Sequence, residues 1–199
     1  MSKEHWDKSF SDKEFVYGKR ENQFLHDMHA VIPADSKVGC FAEGEGRNAV
    51  YLAKLGHDVT AFDQSGVGLE KTKRLAAENG VEVETIELDL TEEKVGVDLF
   101  DAAVMVFGHV PKQGQPFLFD SMIGSVKKGG YILFEVYSEE QLAYGTGGPG
   151  SKEMLYDPID ILNWIKPYKC LHFCYGEVER NEGKRHSGKG HVVQCVIQK

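Results

Sequence analysis

The chain has 199 residues, 41% of them hydrophobic and 27% charged, with a formal net charge of −8. That length suits one α/β core, and the acidic balance counts against nucleic acid as a partner, which calls for a basic face. No apolar stretch approaches the roughly 20 residues of a membrane span, and the opening MSKEHWDKSFSDKEF has no apolar signal run; a single domain over 1–199, in the cytoplasm and off the membrane, is expected.

Residues 1–34 form an N-terminal segment. Trp6, Phe10, Phe15 and Tyr17 interrupt a polar leader, which predicts a segment docked on the domain. Asn22 is a candidate cap for a helix from Gln23. Phe24, Leu25, Met28, Val31 and Ile32 share its face, and Pro33 and Asp35 end it.

Residues 37–55, KVGCFAEGEGRNAVYLAKL, read as strand, tight turn and helix. Glycines at 44 and 46 let a ligand approach the main chain, and the helix that follows points its free N–H groups at the same place. Glu43 and Glu45 flank those glycines, and carboxylates there would repel a pyrophosphate. They suit a nucleoside cofactor with a cationic end, for which S-adenosylmethionine, with its ammonium and sulfonium, is the candidate.

A second strand over 59–62 ends at Asp63, followed by Gln64 and Ser65. The spacing from Gly44 is near the roughly 20 residues that separate a glycine turn from a ribose-binding acid. Asp63 and Ser65 also suit a plain helix start. A helix is predicted over 68–79 and an alternating strand over 81–88. Asp89 then lies at the rim of the same crevice, placed to receive an adenine amino group. The unbroken apolar run 102–107 is a central strand, with Gly108 and His109 just beyond. A helix over 116–126, closed by Lys127-Lys128-Gly129-Gly130, leads to a strand over 131–137. The glycine-rich loop 138–157 follows a strand end and so lies over the crevice. A short helix over 158–165 precedes two closing strands, 168–178 and 191–198. Their turn carries Arg180, Lys184, Arg185, His186 and Lys189: either a solvated tip or a basic lip for an anionic substrate.

Cysteines at 40, 170, 174 and 195 form no C-x-x-C. Cys170, His172 and Cys174 alternate and would share one face of a strand; packing is expected there, with no metal. The β-α alternation gives an α/β fold: a Rossmann-like, doubly wound, mostly parallel seven-stranded sheet with a C-terminal antiparallel hairpin and helices on both faces.

Several stretches resemble the class I S-adenosylmethionine-dependent methyltransferases, in particular the tellurite-resistance (TehB-like) and thiopurine-methyltransferase-like branch. WDKSFSDKEFVYGKRENQFL resembles that branch's opening, and EGEGRNAVYLAKLGHDVTAFDQSGVGLEKTKRLA its cofactor motif and second strand. KKGGYILFEVYS, TGGP, EMLY and HVVQCV are similar to its later landmarks. The resemblance implies that Gly44 and Gly46 approach the methionine end of the cofactor, beside Asn48, with Glu43 or Glu45 near the ammonium. It implies that Asp63, Gln64 and Ser65 lie at the ribose, Asp89 and Leu90 at the adenine, and Phe107 and His109 beside the methyl. Tyr17 and Asn22 would close over the cofactor. Cys40 and Ala42 depart from the family pattern of an acid inside the strand and a third glycine; the acid falls on Glu43 instead. The implied activity is methyl transfer to a small acceptor: a thiol, a metalloid oxyanion or a small metabolite. His109 is the candidate base, with Arg185 and His186 orienting the acceptor; whether the protein is a monomer or a homodimer stays open.

Two alternatives stand beside this reading. Gly44-x-Gly46-x-x-Ala49 satisfies the dinucleotide pattern of an NAD(P)-dependent oxidoreductase. A non-catalytic nucleoside-cofactor-binding protein would keep the fold and lose the transfer.

Overall fold

The structure, a computed structural model, describes residues 2–182 and 186–199, with backbone only at 181, 186 and 187. Five parallel strands come first: β1 (Lys37–Phe41), β2 (Asp58–Asp63), β3 (Glu84–Glu87), β4 (Phe100–Val106) and β5 (Val126–Tyr137). The hairpin β6 (Lys169–Glu182) and β7 (His186–Gln198) adds antiparallel to β5. The order across the sheet is β3-β2-β1-β4-β5-β7-β6. Helices α1 (Lys3–Phe10), α2 (Gln23–Met28), α3 (Arg47–Lys54), α4 (Gly66–Glu78), α5 (Gln115–Ser125) and α6 (Pro158–Ile165) complete the chain.

The central strands are largely apolar because both faces are covered. On one face Phe41, Phe100, Met105 and Phe134 pack against Leu118, Phe119 and Met122 of α5. On the other, Val38, Cys40, Ala61 and Val104 meet Leu25 of α2 and Leu52 of α3. Asn22 caps α2 as expected, its side-chain oxygen accepting from Leu25 N.

Four expectations shift. The third strand is only Glu84–Glu87, because Val81 and Val83 leave the ladder to pack beside Val50, Leu75 and Ala76. Helix α5 stops at Ser125: Val126 is fully buried and pairs with Phe100, so Lys127 and Lys128 start β5 instead of closing a helix. The hairpin strands are longer than predicted, and most of the supposed turn is ladder. Cys170, His172 and Cys174 do not share one face, since the register slips between Cys170 and His172. The leader also contains a helix, α1, capped by Ser2.

Candidate active site

Strand order reverses between β1 and β4, and a cavity of ≈ 420 Å³ opens there, beyond the carboxyl ends of the parallel strands. That volume lies within the roughly 300–1,000 Å³ of ligand pockets.

The turn after β1 is wound tightly. Ala42 (φ 51°), Gly44 (φ 62°) and Gly46 (φ 89°) all occupy left-handed backbone. A Cβ on Gly46 would come 2.6 Å from Thr72 Cγ2, so that glycine permits helix packing and does not line the cavity. Gly46 has no side chain to cap α3, and Glu43 caps it instead: its Oε1 accepts from Asn48 N at 2.9 Å and Ala49 N at 2.8 Å. Burial outweighs those bonds and pushes the Glu43 carboxyl up to about 7. Asp63 binds the same turn, accepting from Gly44 N at 2.9 Å and Ser65 N at 2.8 Å, and burial raises it to about 6.

Glu45 corrects the expectation of a free carboxylate. It pairs with Lys71 at 2.7 Å and accepts from Val16 N at 2.8 Å and Tyr17 N at 3.4 Å. Its charge is neutralised and it fastens the leader, though its edge still faces the cavity. Asn22 is corrected too. It is fully buried, away from the cavity lining, and its amide donates to Glu135 Oε2 at 2.6 Å and Glu182 Oε1 at 3.2 Å. Ser65 is likewise buried off the cavity, capping α4 and donating to Asp7 at 2.6 Å. The plain helix start weighed for this position is realised at Ser65, while Asp63 and Gln64 reach the cavity.

The opposite end is aromatic. Phe107, at φ 58°, stacks on Tyr137 with centroids 4.5 Å apart and planes at 15°. The Arg180 guanidinium lies 4.5 Å from the Phe107 centroid. Arg180 is no solvated tip residue: it is buried and forks onto Glu135 with bonds of 3.0 and 2.7 Å. Gln194 also donates to Glu135, and Arg47, on the cavity wall, pairs with Glu182 at 2.7 Å.

His109 lies on the cavity with both ring nitrogens engaged. Its Nδ1 bonds the Met154 carbonyl at 2.8 Å and its Nε2 accepts from Tyr137 N at 3.3 Å. Burial holds it down to about 4, so it stays neutral with neither nitrogen free. Arg185 and the side chain of His186 lie outside the described residues. Tyr17, Glu43, Gly44, Asn48, Asp89 and Leu90 all reach the cavity.

The sequence reasoning missed Trp6, Phe10, Arg47 and Tyr137 on the walls. Trp6 and Phe10 were discoverable, because two aromatics four apart in a polar leader share a helix face. Gly147, Gly148, Pro149 and Gly150 also line the cavity.

A family model described as a methyltransferase domain matches residues 38–130. No curated protein matches the sequence. Among solved structures, TehB from Haemophilus influenzae is 16% identical with a TM-score of 0.73, and the match covers 99% of this chain and 66% of that one. A SAM-dependent methyltransferase from Anabaena variabilis is 15% identical with a TM-score of 0.72, covering 98% and 92%. A TehB-like SAM-dependent methyltransferase from Corynebacterium glutamicum is 17% identical with a TM-score of 0.63, covering 98% and 95%. Likeness at this identity speaks for a shared fold.

Proposed function

We propose that this chain is a class I S-adenosylmethionine-dependent methyltransferase, a reading supported by the methyltransferase-domain match over residues 38–130, and that it methylates a small-molecule acceptor in the cytoplasm: a thiol, a metalloid oxyanion or a small metabolite. The observation that carries this is the size and lining of the cavity. Leader residues Trp6, Phe10 and Tyr17 wall one side and Gly147 to Gly150 another, around ≈ 420 Å³. That space is of small-molecule size, and the net charge of −8 favours neither a nucleic acid nor an anionic surface.

The residues present fit the cofactor. The Glu43 carboxyl is held near neutrality by burial, and a cationic neighbour is what would ionise it. In this reading Glu43 and Gly44 face the methionine ammonium. Asp63 and Gln64 lie at the ribose, Asp89 and Leu90 at the base, and Phe107 beside the methyl. When bound, the cofactor supplies a methyl carbon on a sulfonium, a good leaving group open to in-line displacement.

The chain's own part is alignment and exclusion of water. The Phe107–Tyr137 stack gives the acceptor end a flat apolar wall. His109 ties the end of β5 to the 138–157 loop: it bonds Tyr137 N and the Met154 carbonyl and moves no proton. Arg185 and His186 are assigned to orienting the acceptor.

The test is formation of S-adenosylhomocysteine from S-adenosylmethionine, followed by mass spectrometry over a panel of thiols, selenite, tellurite and small carboxylates. Turnover with at least one of them is expected. Turnover confined to protein or nucleic-acid substrates would overturn the small-molecule assignment. Stabilisation by NAD and not by S-adenosylhomocysteine would revive the oxidoreductase alternative.

A further inference from the structure

We propose that the indole of Trp6 is the stacking platform for the adenine ring of the cofactor, an inference that rests on the methyltransferase reading above. Helix α1 is pinned across the strand ends at three points. Lys3 Nζ lies 2.8 Å from Glu87 Oε1 at the end of β3 and 3.3 Å from the Gln64 carbonyl after β2. Asp7 accepts from Ser65 Oγ at 2.6 Å. Phe10 closes on the glycine turn: Cβ atoms on Gly44 and Gly68 would each fall 3.0 Å from its ring. The helix therefore runs from the β3 rim to the turn after β1.

Trp6 is one turn before Phe10, about 6 Å nearer the β3 rim at 1.5 Å per residue. That places it on the half of the cavity where Gln64, Leu88, Asp89 and Leu90 form the wall. The indole is backed by Phe10, with centroids 5.4 Å apart and planes at 19°. Phe10 is 3% exposed and fixed, so it holds the indole in one orientation. His5 meets Trp6 edge-on at 5.6 Å. Trp6 itself is only part-buried and reaches the cavity.

Leu88, Asp89 and Leu90 line the same cavity and give the rest of a purine site: the leucines are apolar, and Asp89 between them offers a carboxylate to an exocyclic amino group. A planar, rigidly backed aromatic sharing a cavity with two leucines and an acid suits a flat heteroaromatic base carrying an amine. If Trp6 only anchored the leader it would duplicate Phe10, which is already buried.

The chain has two tryptophans. Trp164 packs on Phe119 at 4.8 Å and is off the cavity lining, so Trp164→Phe leaves Trp6 as the only indole reporter. S-adenosylhomocysteine and adenosine are expected to change the Trp6 emission, and homocysteine, which lacks the base, is not. By calorimetry, Trp6→Ala is expected to weaken S-adenosylhomocysteine binding roughly tenfold or more, and Trp6→Phe less, as base–aromatic stacking implies. The inference is overturned alone if wild type binds but Trp6 emission stays constant at saturation. It is also overturned alone if folded Trp6→Ala binds within about twofold of wild type, below the stacking range. Should Trp6→Ala fail to fold, the emission of the Trp164→Phe protein decides. No heat of binding to wild type would overturn the cofactor reading itself, and this inference with it.

Discussion

Cofactor affinity should depend steeply on pH, through Glu43. In the free protein this carboxyl sits at about 7 because burial disfavours its charge. Its folded value is above the ordinary 4.5. Its contribution to the stability of the free protein is therefore fully present below about 4.5 and is lost as pH rises through about 7. A bound ammonium reverses this preference by favouring the carboxylate. If the complex restores the ordinary value, the gap is worth roughly 3 kcal/mol at 1.36 kcal/mol per tenfold. Only the part between the two values is seen over a practical range. From pH 5 to pH 8 the apparent affinity for S-adenosylhomocysteine should rise roughly 50- to 100-fold, with proton release on binding near pH 6–7. Isothermal titration calorimetry in buffers of different ionisation enthalpy reads both quantities. Glu43→Gln should abolish most of the rise and leave a smaller step near 6 from Asp63. A wild-type affinity that is flat across this range, or a slope shared with Glu43→Gln, would refute the placement of Glu43 beside a cation.

Three further outcomes are expected. Arg180→Leu strands the buried Glu135 charge and should cost about 3–5 kcal/mol in urea unfolding. Adding Glu135→Gln should recover much of that loss, because Asn22 and Gln194 still have an acceptor; a loss under about 1 kcal/mol in the single variant would mean the pair is solvated, as exposed pairs are. Ala42→Gly relieves an L-residue at φ 51° and should leave stability unchanged or raise it by up to about 1 kcal/mol, whereas a drop in thermal midpoint would show that the Ala42 methyl matters more than its backbone. Asp63→Ala should weaken cofactor binding by about 1.5–3 kcal/mol, on the scale of bonds to a charged group, and an unchanged dissociation constant would remove Asp63 from the site.

The fold was legible wherever local pattern and burial agreed. The apolar run at 102–107, the glycine-stopped helix after Arg47 and the Asn22 cap all formed near their expected places. The misses have one cause: a partner distant in the chain overrode the local signal. Lys127 and Lys128 look like a helix end, but Val126 is drawn onto Phe100. Arg180 looks like a surface residue in a charged turn, and nothing near it in sequence announces Glu135, 45 residues away. At the candidate site, Gly44, Asp63 and Asp89, which the turn and strand ends singled out in the sequence, line the cavity. It was misread where residue type implied availability. Glu45 is taken by Lys71, Asn22 by Glu135, and His109 by two backbone groups. The two glutamates that argued for a cationic ligand thus reduce to one, and the methyltransferase-domain match supports the same cofactor independently.

The contacts that converge on Glu135 and Glu182 also order the events of synthesis. Asn22 bonds residues 113 and 160 positions downstream, so while the ribosome is still making the middle of the protein its leader has nothing to grip there. Arg47 likewise waits for Glu182. Such distant closures come late when a chain folds. The sheet's parallel half, with α1 pinned to Gln64, Ser65 and Glu87, can assemble as it emerges, but the buried ties of Asn22 and Arg47 close only after the final hairpin is delivered.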